Sequence, residues 1–139
     1  MDPLSITSAV VGLLTATAKI YSLLETVSSI RNAPAAIKDA QNELRHTEIT
    51  LRSMQRLLQR LHAMGPRREL IQIDDLRVTL ADAMMALDAF EAMLQRIASL
   101  DKVRVAISWP THVKELAEHL ARMARYQQSL VLMISILQW

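Results

Sequence analysis

Glu43-x-x-His46 is the spacing in this chain that could do metal chemistry. A carboxylate and an imidazole three residues apart share one helix face. In di-iron helical bundles two such pairs converge with two further inward glutamates. Only one pair occurs here. With Leu44 and Leu51 turned to a core, His46 is expected to point outward. His112 and His119 stand seven apart on a later segment, with Glu115 and Glu118 nearby, but no ligands converge on them from elsewhere. No metal and no other cofactor is expected. The glycines are Gly12 and Gly65 alone, so there is neither a glycine-rich phosphate loop nor a nucleophile elbow, and without cysteine there is no thiol nucleophile. The chain reads as non-enzymatic, with no catalytic residue to name.

The arginines carry more. Arg52, Arg56, Arg60, Arg67 and Arg68 fall between Glu48 and Glu69 with no acid among them, and the first three are four apart on one face. Such a row could hold anionic phospholipid headgroups or an acidic partner. The blander alternative is a solvated outer face. A nucleic-acid partner is not expected. The net charge is only +2 over 139 residues, and one Phe, two Tyr and two Trp provide no stacking platform.

These residues need elements to hold them. Two glycines, four prolines and 51% hydrophobic residues favour a helical, well-packed domain over strand or disorder. Breakers at Asn32-Ala33-Pro34, Gly65-Pro66, Ser99-Leu100-Asp101 and Trp109-Pro110 divide the chain into four segments. Each has alternating three- and four-residue apolar spacing. The rows are Ile6, Val10, Leu13, Thr17, Ile20, Leu24, Val27; then Ile37, Ala40, Leu44, Thr47, Leu51, Met54, Leu58, Leu61. They continue with Ile73, Leu76, Leu80, Ala83, Leu87, Phe90, Leu94, Ile97, and with Val113, Leu116, Leu120, Met123, Gln127, Leu130, Ile134, Leu137. That period packs helices at shallow angles, and short connections make neighbours antiparallel. The expectation is an all-α, up-down-up-down four-helix bundle spanning 1–139 as one domain. Connections 66–75 and 101–109 have room for short extra helical turns. Trp109 is expected to plug one end and Pro110 to start the last helix. Of the methionines, Met84, Met85 and Met93 read as core filling before adaptable binding.

The first segment differs from the others. Asp2-Pro3 is a helix-start signature, and no charge occurs from Pro3 to Ala18. A second apolar row runs through Leu4, Val11, Leu14, Ala18 and Tyr21, and small residues at Ser8, Gly12 and Ala16 allow close helix approach. A helix apolar around most of its circumference belongs in a core or in a bilayer. It does not read as a secretory signal, since it opens on an acid and lacks a small-residue cleavage site. The uncharged run also falls short of a constitutive span and carries five hydroxyls.

Two stretches resemble one family. Met1-Asp-Pro-Leu-Ser-Ile-Thr-Ser-Ala-Val-Val-Gly-Leu-Leu-Thr-Ala resembles the opening of the HeLo-like N-terminal domains of fungal STAND (NLR-like) receptors. Ile107-Ser-Trp-Pro-Thr-His-Val-Lys-Glu-Leu116 resembles that family's Trp-Pro turn before its last helix, although Thr111 stands where the family has an aromatic. The plan is similar to the HET-S HeLo domain and to the killer bundle of the necroptosis pseudokinase. The resemblance implies a cell-death effector domain, N-terminal to further receptor domains in the same chain. It would be cytoplasmic at rest, self-associate on activation and act at the plasma membrane. Its membrane-inserting residues would be Leu4, Ile6, Val10, Val11, Leu13 and Leu14. The alternative is a protein-interaction and assembly module that never enters a membrane.

Overall fold

The computed structural model describes the backbone of residues 3–30, 34–64 and 70–137, with side chains over most of 6–27, 35–60 and 76–136. The fold is all-α. Among the described residues there are four helices: α1 (Pro3–Ile30), α2 (Pro34–Met64), α3 (Leu70–Ala98) and α4 (Lys102–Leu137). Pro3 and Pro34 each open a helix, where a missing N–H costs nothing and a fixed φ helps. Asp2, Asn32, Ala33, Gly65 and Pro66 lie outside the described residues, as do Arg67, Arg68 and Trp139.

The break between α3 and α4 is tight. Ser99 N–H donates to the Gln95 carbonyl, Leu100 N–H to the Ile97 carbonyl, and the chain restarts at once. Asp101 caps the new helix, its Oδ1 accepting from Arg104 N–H at 2.8 Å. The expected extra turns are therefore the first turns of α3 and α4 themselves. Pro110 does not start the last helix but sits inside it. The carboxylate cap at Asp101 outcompetes the proline, whose missing hydrogen bond is absorbed within a helix that Val105 and Trp109 anchor to the core.

The apolar rows are the core. Ile6, Val10, Leu13, Ile20, Leu24 and Val27 of α1 are buried, as are Ile37, Leu44, Leu51, Met54 and Leu58 of α2 and Leu76, Leu80, Leu87, Phe90, Leu94 and Ile97 of α3. On α4, Leu116, Met123 and Leu130 are buried, while Val113, Leu120 and Ile134 pack against them. Thr17 and Thr47 occupy core positions because their hydroxyls donate to the carbonyls of Leu13 and Glu43, one turn back. All four helices meet around a crevice of about 20 Å³, touched by Leu13, Leu51, Leu87 and Met123.

Sequential neighbours are not all spatial neighbours. α1 packs on α3 and α2, and α4 packs on α2 and α3, so α2 and α3 stand at opposite corners. Gly12 approaches Met84, and Lys19 meets Glu91, so α1 and α3 run the same way in constant register. Phe90 stacks on His119 and Arg96 reaches Glu115, so α3 and α4 run oppositely. α1 and α3 are alternate helices in the chain, and their parallel run does not conflict with antiparallel sequential neighbours. α2 and α3, consecutive in the chain, are the pair that stands across the diagonal.

Candidate functional site

α1 is the most apolar of the four helices. The stretch Ile6–Val27 is long and apolar enough to cross a bilayer, and a third of it is buried. Its 22 residues rise ~33 Å, close to the thickness of a hydrocarbon core. α1 is a corner helix with an outward face of Ser8, Val11, Thr15, Ala18 and Ser22, all exposed. The six residues expected to insert as one row do not share a face. Ile6, Val10 and Leu13 point into the core, Leu14 lies at its edge, and Val11 is 45% exposed. At 100° per residue, 10 and 11 or 13 and 14 cannot point the same way. The Leu4 side chain lies outside the described residues.

Three threonine hydroxyls of α1 are satisfied within α1 itself. Thr15 donates to the Val11 carbonyl at 3.0 Å, Thr17 to Leu13 at 2.7 Å, and Thr26 to Ser22 at 3.2 Å. A sequence shows such residues as polar. Their bonds back to the preceding turn mean that each carries its partner wherever the helix goes. Two polar contacts pin this helix at one level. Lys19 Nζ lies 2.8 Å from Glu91 Oε1 on α3. Arg45 of α2 donates to the Tyr21 hydroxyl at 2.8 Å and lies over its ring. The hydrogen bond and charge of Glu91 hold Lys19 above the ordinary lysine value.

The arginine row is a face of α2. Arg52, Arg56 and Arg60 are exposed. Arg52 is partly neutralised, its Nε donating to Glu48 Oε1 at 3.0 Å, and Arg56 donates to Ser53 Oγ. The structure extends this face where sequence reading stopped. Lys38 and Arg45 lie on the same outward side of α2, and Ile49 stands 62% exposed among them. The seven-residue spacing of Lys38, Arg45 and Arg52 was the available signal. Glu43 and Glu48 hid it, because they sit on the flanks.

Three histidines, His46, His112 and His119, have described side chains. His46 is exposed, with Glu43 half-buried. His119 stacks on Phe90 with ring centroids 5.2 Å apart, and burial, then Arg122, push its imidazole below the ordinary value. His112 Nε2 lies 2.8 Å from Ser108 Oγ, whose single proton goes to the Arg104 carbonyl at 2.6 Å. His112 Nε2 is therefore the donor, and Nδ1 is buried without a partner. His112, Arg96, Ser99 and Glu115 line a cleft of about 360 Å³ between the end of α3 and α4. Among the described residues no three His, Cys, Asp or Glu side chains converge as a metal site would require.

Met93 is buried and Met84 packs against the core, as expected of filling residues, but Met85 is 65% exposed. It lies on an outward stripe of α3 with Val78, Ala81, Ala89 and Ala92, all exposed. No family model matches this chain, and neither curated proteins nor solved structures gave a match.

Proposed function

We propose that this is a non-enzymatic cell-death effector domain: an up-down-up-down four-helix bundle, soluble at rest, that damages membranes through α1 after self-association. The observation that carries the reading is α1 itself. It has bilayer length, no charge over its first four turns, and threonine hydroxyls bonded to its own backbone. In hydrocarbon an unsatisfied hydroxyl costs several kcal/mol, and one already bonded within its helix costs far less. The resemblance of the opening residues and the Trp-Pro turn to HeLo-like domains points the same way.

Leaving the bundle uncovers the faces of α2 and α3 that Ile6, Val10, Leu13, Ile20 and Leu24 now cover. A bilayer compensates α1 but not those faces. Release therefore needs a second event that covers them, and self-association supplies one. The cations of α2, on the order of 1 kcal/mol each near an anionic surface, would keep the bundle at the membrane.

A second reading has its own observation. Val78 and Met85 make an apolar stripe outside the core, as an assembly module requires. Dye release from liposomes, with and without anionic lipid, separates the two. Leakage that depends on anionic lipid and is abolished by an outward charge on α1 supports the effector. No leakage, even from a chain fused to an assembly tag, leaves the assembly module.

A further inference from the structure

Two exposed apolar side chains stand out in the middle of their helices, Ile49 on α2 at 62% and Met85 on α3 at 65%. Their settings are complementary. Ile49 has Arg45 four residues before it and Arg52 three after, with Arg56 one turn beyond. Met85 has Asp82 three residues before it and Asp88 three after. Arg45 to Arg52 spans ~10 Å along α2 and Asp82 to Asp88 ~9 Å along α3, two turns or less in each case. All of these side chains except Ile49 and Met85 are charged, all are exposed, and neither Asp82 nor Asp88 enters an ion pair among the described residues. The cation–apolar–cation pattern of one helix is matched by an acid–apolar–acid pattern on the other.

α2 and α3 stand at opposite corners of the bundle, so these two faces point away from each other. One copy cannot satisfy itself. A face and its complement on opposite sides of one molecule generate a head-to-tail contact that repeats from copy to copy instead of closing as a two-fold dimer. We propose that the occupant of the Ile49 face is the Met85 face of a second copy of this chain. Arg45 and Arg52 then lie against Asp82 and Asp88 around one apolar contact, with Arg56 one turn beyond. This rests on the reading of the domain as one that self-associates, and it names the surfaces that do so.

The contact is small. Two single-helix faces bury less than the ~1,200 Å² of a stable standard interface. The association is therefore weak between free copies and strong when copies are held together, since tethering supplies millimolar effective concentrations. A domain with such faces is monomeric at rest and assembles when something gathers it. The same geometry leaves the outer face of α1 clear of the contact, because α1 occupies a third corner.

The chain contains no cysteine, so single thiols report contacts without background. Ile49→Cys and Met85→Cys are both at exposed positions and leave the core alone. Each variant is incubated alone at high concentration under mild oxidation, then the two are mixed, and the double variant is treated in the same way. The mixture is expected to cross-link at least about tenfold faster than either variant alone, because docking holds the two thiols at a raised local concentration. The double variant is expected to give a ladder extending beyond dimer, and Arg52→Glu with Arg56→Glu is expected to erase it. Equal rates for mixture and single variants, or a ladder indifferent to the arginine reversals, overturn the proposal. Faster homodimer formation by either variant alone overturns it also. Liposome leakage by the unmodified chain is scored separately. Leakage without a ladder sinks this interface and leaves the membrane reading standing. A ladder without leakage keeps the interface and counts against the membrane reading.

Discussion

Glycine 12 is the one place in α1 where helix propensity gives way to close approach. An added Cβ would meet Met84 Cε at 3.1 Å, tighter than ordinary contact. That atom is the end of a flexible, partly buried side chain, which can swing aside. Gly12→Ala should therefore stabilise the protein by up to about 1 kcal/mol, the helix-propensity gain, less the cost of moving one methyl. Urea unfolding tests this, and a loss of stability of similar size would mean Met84 is held in place. His119 gives the second prediction at this scale. Burial disfavours its charged form, so its folded pKa lies below the 6.5 of the unfolded chain. The unfolded state then binds more protons as pH falls through 6.5. Stability is full above that value and declines as pH drops towards the folded pKa. Thermal unfolding followed from about pH 7 to 5 should show the decline, and His119→Phe, which keeps a ring on Phe90, should remove that part of it.

At the scale of helices, Pro110 offers a direct test of why α4 starts where it does. With Asp101 as cap, the proline is an interior residue that lacks a donor for the preceding turn. Pro110→Ala restores that donor and should raise the melting temperature, with an upper bound near the ~3 kcal/mol that separates proline from alanine in a helix interior. Asp101→Ala removes the cap and should cost about 1 kcal/mol. If Pro110→Ala destabilises and Asp101→Ala does nothing, the helix begins at the proline after all. The case shows what was legible. The periodic rows named the core of α1, α2 and α3 almost residue for residue, because a 3.6-residue stripe records burial directly. Helix ends were harder. Trp109-Pro110 is a strong signal locally, but packing of Val105 and Trp109 against the core overrides it. The spatial order of helices left no mark in the pattern, since each stripe says that a face is buried and not against which neighbour. For the same reason the apparent second apolar row of α1 splits, with Val11 and Ala18 exposed and Leu14 and Tyr21 packed against the core. The full basic face of α2 and the stripe of α3 emerged only once the inward direction of each helix was known.

The whole molecule sets core and membrane demands on one helix, and the two can be separated by position. Val10 is fully buried, so Val10→Asp places an unpaired charge in the core and should unfold the bundle; its loss of activity would say nothing about insertion. Removing residues 1–24 fails in the same way, because it strips Ile6, Val10, Leu13, Ile20 and Leu24 from the core together. Thr15 is different. It is exposed, and its hydroxyl is bonded only to its own helix. Thr15→Glu should leave unfolding within about 0.5 kcal/mol of the parent, as surface changes do. It should nevertheless abolish dye release, since an ionised side chain at the middle of a bilayer costs about 2.5–3.5 kcal/mol on insertion scales. Lys19→Leu should act in the opposite sense. It deletes the ion pair to Glu91 that joins α1 to α3, and it removes the one cation from the stretch that would span. A small drop in melting temperature accompanied by faster leakage is the expected result. A bundle that only binds other proteins has no reason to respond to these two substitutions with opposite signs. If Thr15→Glu leaks like the parent while remaining folded, α1 is not the element that enters the membrane, and the outward faces of α2 and α3 become the place where the activity resides.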